Sequence, residues 1–180
     1  MMNNNDTLLL IIDIQEKLLN AVYNKDIVEK KSQILAKTAS ILNIPTIVTE
    51  QYPQGLGATV DSIKSLIDAN SEIYEKTEFN AMLNPQIKEA VLSKNKKTVI
   101  LLGIESHICV YQTAEALQQE GFKVVVAADA VSSRSEYEYS LAMSNLKNIN
   151  INVKSAEMIV FELLKSAKHP NFKEIQQLIK

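Results

Sequence analysis

Thr7-Leu8-Leu9-Leu10-Ile11-Ile12-Asp13 is an unbroken apolar run closed by a carboxylate. It is short enough for a strand and has no polar alternation, so it fits a strand buried on both faces. Such a strand needs helices above and below it, and the rest of the chain supplies them. A helical pattern through Ile27, Ile34, Leu35, Thr38, Ile41 and Leu42 stops before Pro45, which opens a second short run at 46–49. Gly55 and Gly57 mark a loop before a predicted helix over 60–69, and a weaker third strand follows at 72–75. Pro85 suits the first turn of a helix over 85–94.

The second half repeats the alternation. An apolar run at 98–102 leads through a turn at 103–107 into a helix over 108–119, with Val110, Ala114 and Leu117 on its inner face. Gly121 takes the usual place after a helix end. A fifth strand is predicted at 122–127, a helix at 135–146 and a sixth strand at 151–153, with closing helices near 155–165 and 171–179. Strand-helix alternation with short connections predicts a three-layer α/β/α unit built on a mostly parallel sheet. No internal repeat or linker divides the chain, so 1–180 reads as one unit.

Composition narrows the function. Apolar residues make up 46% and charged residues 22% of 180 residues, the balance of an ordinary globular protein. A net charge of −2 gives no long-range attraction to nucleic acid or anionic membrane, so neither is expected as a partner. The start, Met1-Met2-Asn3-Asn4-Asn5-Asp6, lacks the basic and apolar regions of a signal peptide. No apolar run nears the roughly 20 residues of a membrane helix. One cysteine cannot form an internal disulfide, and the cytoplasm is the expected compartment.

Open parallel sheets bind ligands beyond the carboxyl ends of their strands. Asp13, Lys76 and Cys109 each sit at or just past such an end. Each also has a plain structural reading. Cys109 could be a small buried apolar residue, Asp13 a helix cap paired with Glu16, and Lys76 one half of an exposed ion pair. Their convergence on one rim is what favours chemistry. Cys109 is predicted in the first turn of a helix, where the dipole and free N–H groups favour a thiolate. A papain-like pair is excluded, because His107 is two residues from Cys109 and His169 falls on a loop near the C-terminus. The base must then be a carboxylate with a cation beside it: Asp13 to take the thiol proton, Lys76 to favour the charges formed.

Leu9-Leu10-Ile11-Ile12-Asp13-Ile14-Gln15, Lys76-Thr77-Glu78-Phe79 and Gly103-Ile104-Glu105-Ser106-His107-Ile108-Cys109-Val110 resemble, in order and spacing, the three signature segments of isochorismatase-like cysteine hydrolases. The similarity runs from about Thr7 to about Val160 and is nearest to the isochorismatase domain-containing subgroup. It implies a six-stranded parallel sheet of order 3-2-1-4-5-6 and a catalytic triad at Asp13, Lys76 and Cys109. In that scheme the sulfur attacks a carbonyl or amidine-like carbon, Asp13 shuttles the proton, and water later releases the acyl group. The resemblance also implies a non-proline cis peptide at Ile104–Glu105, with the backbone N–H groups of Glu105 and Cys109 as an oxyanion hole. Tyr52, Phe79, Ile104 and His107 would border the substrate, with ordinary packing as the alternative for Tyr52 and Phe79; Gln15, two past Asp13, would either orient it or meet the substrate. Ser133 and Arg134 resemble a further family element, and 132–135 read as helix capping near the site.

Two departures limit the activity. Where metal-dependent relatives carry an Asp-x-His motif after the second strand, this chain has Thr49-Glu50-Gln51-Tyr52-Pro53-Gln54-Gly55-Leu56-Gly57, so no metal and no cofactor are expected. Isochorismatases proper often lack the cysteine and add a carrier domain, which disfavours vinyl-ether cleavage. The expectation is a cysteine hydrolase of a small amide, carbamoyl or similar carbonyl compound, assembled as a dimer or tetramer. A non-catalytic scaffold that keeps the fold is the alternative. A phosphorylation receiver is disfavoured, since it would need an acidic cluster after the first strand and an aspartate after the third.

Overall fold

A computed structural model describes residues 2–180, and Met1 lies outside the described residues. Six strands form one sheet: β1 Thr7–Ile12, β2 Thr46–Gln51, β3 Glu72–Lys76, β4 Thr98–Ile104, β5 Lys123–Ser132 and β6 Asn152–Lys154. Every pairing is parallel and the order is β3-β2-β1-β4-β5-β6. The chain starts in the middle and winds outward in both directions, so the sheet changes direction at β1/β4. The connections that leave the two strands run to opposite sides there, which is where open parallel sheets place their ligands.

The helices are α1 Glu16–Leu19, α2 Lys25–Ile41, α3 Pro53–Leu56, α4 Asp61–Lys64, α5 Pro85–Ser93, α6 Tyr111–Gln119, α7 Glu136–Asn148, α8 Ala156–Leu164 and α9 Phe172–Ile179. Helix α2 packs on α4, α8 and α9, whereas α6 and α7 pack against the turn after β4 and the β5–β6 side of the sheet. All residues of β1 and β4 are buried, as their unbroken apolar runs require. No helix among the described residues is long and apolar enough to cross a membrane.

Three segments depart from the sequence expectation. The helix predicted over 60–69 is only one turn, Asp61–Lys64. Asp68 then draws the chain into a turn, accepting from Asn70 N–H through its side chain at 2.8 Å and from Ser71 N–H through its carbonyl at 2.9 Å. Strand β5 extends to Ser132, well past 127, because a register shift at Leu101/Gly103 lets Val131 and Ser132 keep pairing with Gly103 and Ile104. The helix predicted from 108 begins at Tyr111, preceded by a π-helical turn, Ser106–Val110. Such insertions are frequent at functional sites.

Gly103 has φ +131°, and a side-chain carbon there would lie 1.9 Å from the Ile12 carbonyl oxygen. Only glycine lets the end of β4 approach the end of β1 this closely. The segments bearing Asp13 and Cys109 are brought side by side by that contact.

Candidate active site

Asp13 follows β1 with φ +52°, a left-handed conformation uncommon for a residue with a side chain. Its backbone N–H is held by Thr49 carbonyl at 3.0 Å, continuing the β1–β2 pairing by one residue. The carboxylate accepts from the Thr49 hydroxyl at 2.6 Å on Oδ1 and from Lys76 Nζ at 2.6 Å on Oδ2. It is completely buried. Asp13 is therefore not the helix cap that its spacing to Glu16 allows; α1 is preceded by Gln15, which makes no side-chain cap bond.

Lys76 ends β3, whose burial alternates until this last residue turns inward. Its ammonium spends three donors inside the protein: on Asp13, on Gln51 Oε1 at 2.6 Å, and on the Glu78 carbonyl at 3.1 Å. An exposed ion pair is thus ruled out by geometry. Lys76 also lines a cleft of about 190 Å³ with Tyr52, Glu75, Thr77, Glu78 and Asn84.

Cys109 sits in the π-helical turn with only 6% of its surface exposed, close enough to Asp13 and Lys76 for their charges to act on the thiol. Burial and the neighbouring Asp13 charge push the thiol up to about 12, against the opposing pull of Lys76 and the Glu105 backbone. The helix-terminus expectation of a lowered thiol is corrected here. Desolvation outweighs the dipole, so the resting group is a neutral S–H. Burial likewise pushes the Asp13 carboxyl up, opposed by Lys76, Thr49 and Cys109. A carboxylate so raised is a stronger proton acceptor.

The peptide bond Ile104–Glu105 is cis. The Glu105 backbone group faces Cys109 and favours its charged form, while the Glu105 side chain accepts from Arg134 Nε at 3.0 Å and Arg134 N at 3.2 Å. Ile104 is fully buried.

The remaining expected pocket residues separate. Tyr52 and Phe79 are more than half exposed on the rim, and Tyr52 has φ +39°. Gln15 is fully buried and committed to backbone: its amide donates to Gln51 O at 3.0 Å and Gly57 O at 2.5 Å, and its oxygen accepts from Gln51 N at 2.7 Å. It clamps the segment after β2 and offers no open surface. His107 turns toward Ser133, with Nδ1 2.8 Å from the hydroxyl. Of the segment read as capping, Ser135 does cap α7, but Ser132 and Ser133 are buried and bonded to Asn24 and to Ser106 and His107. His169 lies in the turn between α8 and α9.

Sequence reading missed Thr49 and Gln51, which hold Asp13 and Lys76 from the intervening strand. The available signal was a polar trio, Thr49-Glu50-Gln51, at the end of an otherwise apolar β2. Among the described residues no group of three or more His, Cys, Asp or Glu side chains could hold a metal ion.

A 3-2-1-4-5-6 parallel sheet whose strand ends gather a carboxylate, an ammonium and a thiol is the architecture of an isochorismatase-type hydrolase fold. Residues 7–158 match the Isochorismatase domain, and the chain belongs to that family. It is 37% identical over 175 residues to isochorismatase domain-containing protein 2 of Bos taurus, spanning 97% of this chain and 83% of that protein. Among solved structures, the MAR1 ribonuclease of Caenorhabditis elegans is 38% identical with a TM-score of 0.94, over 99% of this chain and 91% of that one. YcaC from Pseudomonas aeruginosa with hexane-2,5-diol and covalent acrylamide is 25% identical with a TM-score of 0.92, over 98% and 90%.

Proposed function

We propose that this protein is a cysteine hydrolase of small amides, carbamoyl compounds or related carbonyls, with Asp13, Lys76 and Cys109 as its catalytic triad. The observation that carries the reading is the buried Lys76–Asp13 pair, with the Cys109 thiol within electrostatic reach of both charges. As Sγ forms its bond to the carbonyl carbon, Asp13 takes the thiol proton and the C=O electron pair moves to oxygen. The N–H groups of Glu105 and Cys109 hold that oxygen. Collapse breaks the C–N bond, and the amine leaves with the proton from Asp13. Water then attacks the thioester, giving a proton to Asp13; the sulfur departs and recovers it, releasing a carboxylic acid. Lys76 opposes the effect of burial on Asp13 and steadies the site while the negative charge sits on substrate oxygen.

The covalent acrylamide held by the Pseudomonas relative supports a nucleophile on this fold. A ribonuclease activity, as in the name of the Caenorhabditis relative, finds less support: net charge is −2 and the site lysine is turned inward against Asp13. We read the protein as one functional unit over 1–180, cytoplasmic, and self-associating through faces such as exposed Tyr137 and Leu141 on α7.

Incubation with acrylamide, followed by intact mass and peptide mapping, tests the triad. One adduct on Cys109, slowed in Asp13→Asn and absent in Cys109→Ala, is the expected result, together with turnover of at least one compound from a panel of small amides. A wild-type chain that takes no adduct and hydrolyses nothing faster than Cys109→Ala would overturn the reading in favour of a non-catalytic scaffold.

A further inference from the structure

Between Glu105 and Cys109 lie two polar side chains that the triad does not use, Ser106 and His107. Ser106 Oγ is 2.5 Å from Ser133 Oγ, which is 2.8 Å from His107 Nδ1. Ser106 and Ser133 are fully buried, and the His107 side chain is 18% exposed. The turn that carries the nucleophile is thereby tied twice, through adjacent residues, to one hydroxyl at the end of β5.

Counting hydrogens sets the direction of this line. Ser133 is the sole partner of the Ser106 hydroxyl among the described residues. A buried hydroxyl hydrogen without an acceptor is unfavourable, so Ser106 donates to Ser133. Ser133 then donates to His107 Nδ1, and the ring hydrogen sits on Nε2, facing Glu138 Oε2 at 4.0 Å. The anchor itself is firm. The Ser133 carbonyl accepts from Tyr23 N–H at 3.2 Å, and the neighbouring Ser132 hydroxyl bonds the Asn24 side chain.

We infer that His107 is a positioning residue: with Ser133 as its post, it holds the Ser106–Val110 turn, and so the reacting sulfur that the turn carries, in place beside Asp13. It does so from behind the site and touches no substrate. This role rests on the proposed nucleophile, because it matters only if Cys109 reacts. It also reassigns His107 from the substrate rim, where the sequence pattern put it, to the support of the turn.

The chain's one cysteine makes the test direct, since the rate of Cys109 alkylation by iodoacetamide, read by mass, needs no known substrate. His107→Phe and Ser133→Ala should each slow alkylation roughly tenfold, as expected when a positioned sulfur loses its orientation. His107→Asn, whose Oδ1 can occupy the place of Nδ1, should return the rate to within about threefold of wild type, and His107→Phe with Ser133→Ala should be no slower than either alone. Rescue by Asn and non-additivity are readouts that general loosening of the fold would not produce. Thermal melts accompany each variant, and if His107→Phe fails to fold, the one-atom deletion in Ser133→Ala carries the test. A reactive wild type with unchanged rates in His107→Phe and Ser133→Ala overturns the positioning role alone. So does Asn as slow as Phe. A wild type that iodoacetamide does not label at Cys109 overturns the nucleophile and this role with it.

Discussion

Lys76 Nζ lies 2.6 Å from Asp13 Oδ2, and neither side chain has surface open to solvent. The two residues come from an edge strand and a central strand, separated by β2. Each charge is tolerable inside the protein only because the other is there. Lys76→Met leaves the carboxylate buried and uncompensated, and should lower stability by about 3–5 kcal/mol in urea denaturation. Adding Asp13→Leu to Lys76→Met should recover much of that loss while leaving Cys109 unreactive. Stability that stays down in the double variant would mean the pair is not the cause.

The raised thiol sets a pH dependence. Cys109 ionises near its ordinary value of 9.0 in the unfolded chain and near about 12 when folded. Between those values the folded state keeps a proton that the unfolded state has lost, so stability falls as pH rises. Compared with Cys109→Ala, the wild type should lose up to about 1.4 kcal/mol per pH unit above pH 9. Below pH 9 the difference between the two proteins should be flat. A difference that stayed flat up to pH 12 would contradict a buried, neutral thiol.

Gly103→Ala places a carbon 1.9 Å from the Ile12 carbonyl oxygen in a backbone conformation that side chains rarely adopt. It should cost on the order of 3 kcal/mol or more, since both backbone strain and separation of β1 from β4 are involved. Gly121→Ala serves as the control: it too has positive φ, but no atom lies within 4 Å of the added carbon. Its smaller loss, about 1 kcal/mol, would isolate the steric part of the Gly103 effect.

Gln15 makes three hydrogen bonds to the backbone of Gln51 and Gly57. Gln15→Leu strands those half-buried backbone groups and should lower the urea midpoint by the equivalent of about 1–3 kcal/mol. A residue that only met substrate would leave the midpoint where it was.

The sheet was legible because its central strands are apolar from end to end; the periodicity of β1 and β4 admits little else. Asp13, Lys76 and Cys109 were legible as residue types at or just past strand ends. Their surroundings were not. Thr49 and Gln51 look like ordinary polar residues at the close of β2, and only the register Glu50↔Glu75 and Gln51↔Lys76 reveals that they stand between Asp13 and Lys76. Cys109 was misjudged in its ionisation because helix position can be read from spacing, whereas desolvation depends on packing from distant segments. The bond between His107 and Ser133 was not legible, because the two residues are 26 positions apart and the turn's direction has no local signature. The short α4 was overextended for a simpler reason: its apolar spacing continues through Leu66 and Ile67 after the backbone has already turned at Ser65.

Lys76 belongs to β3, the outermost strand on its side, which pairs with β2 alone. Peripheral segments open more readily than the interior, by local excursions that leave the rest folded. The ammonium is thus mounted on an edge of the sheet that can fray, while the carboxylate and the sulfur lie on the segments that follow its central strands. Warming should therefore silence Cys109 toward electrophiles some degrees before circular dichroism records any melting. Amide protons of 72–76 should exchange with deuterium sooner than those of β1 and β4.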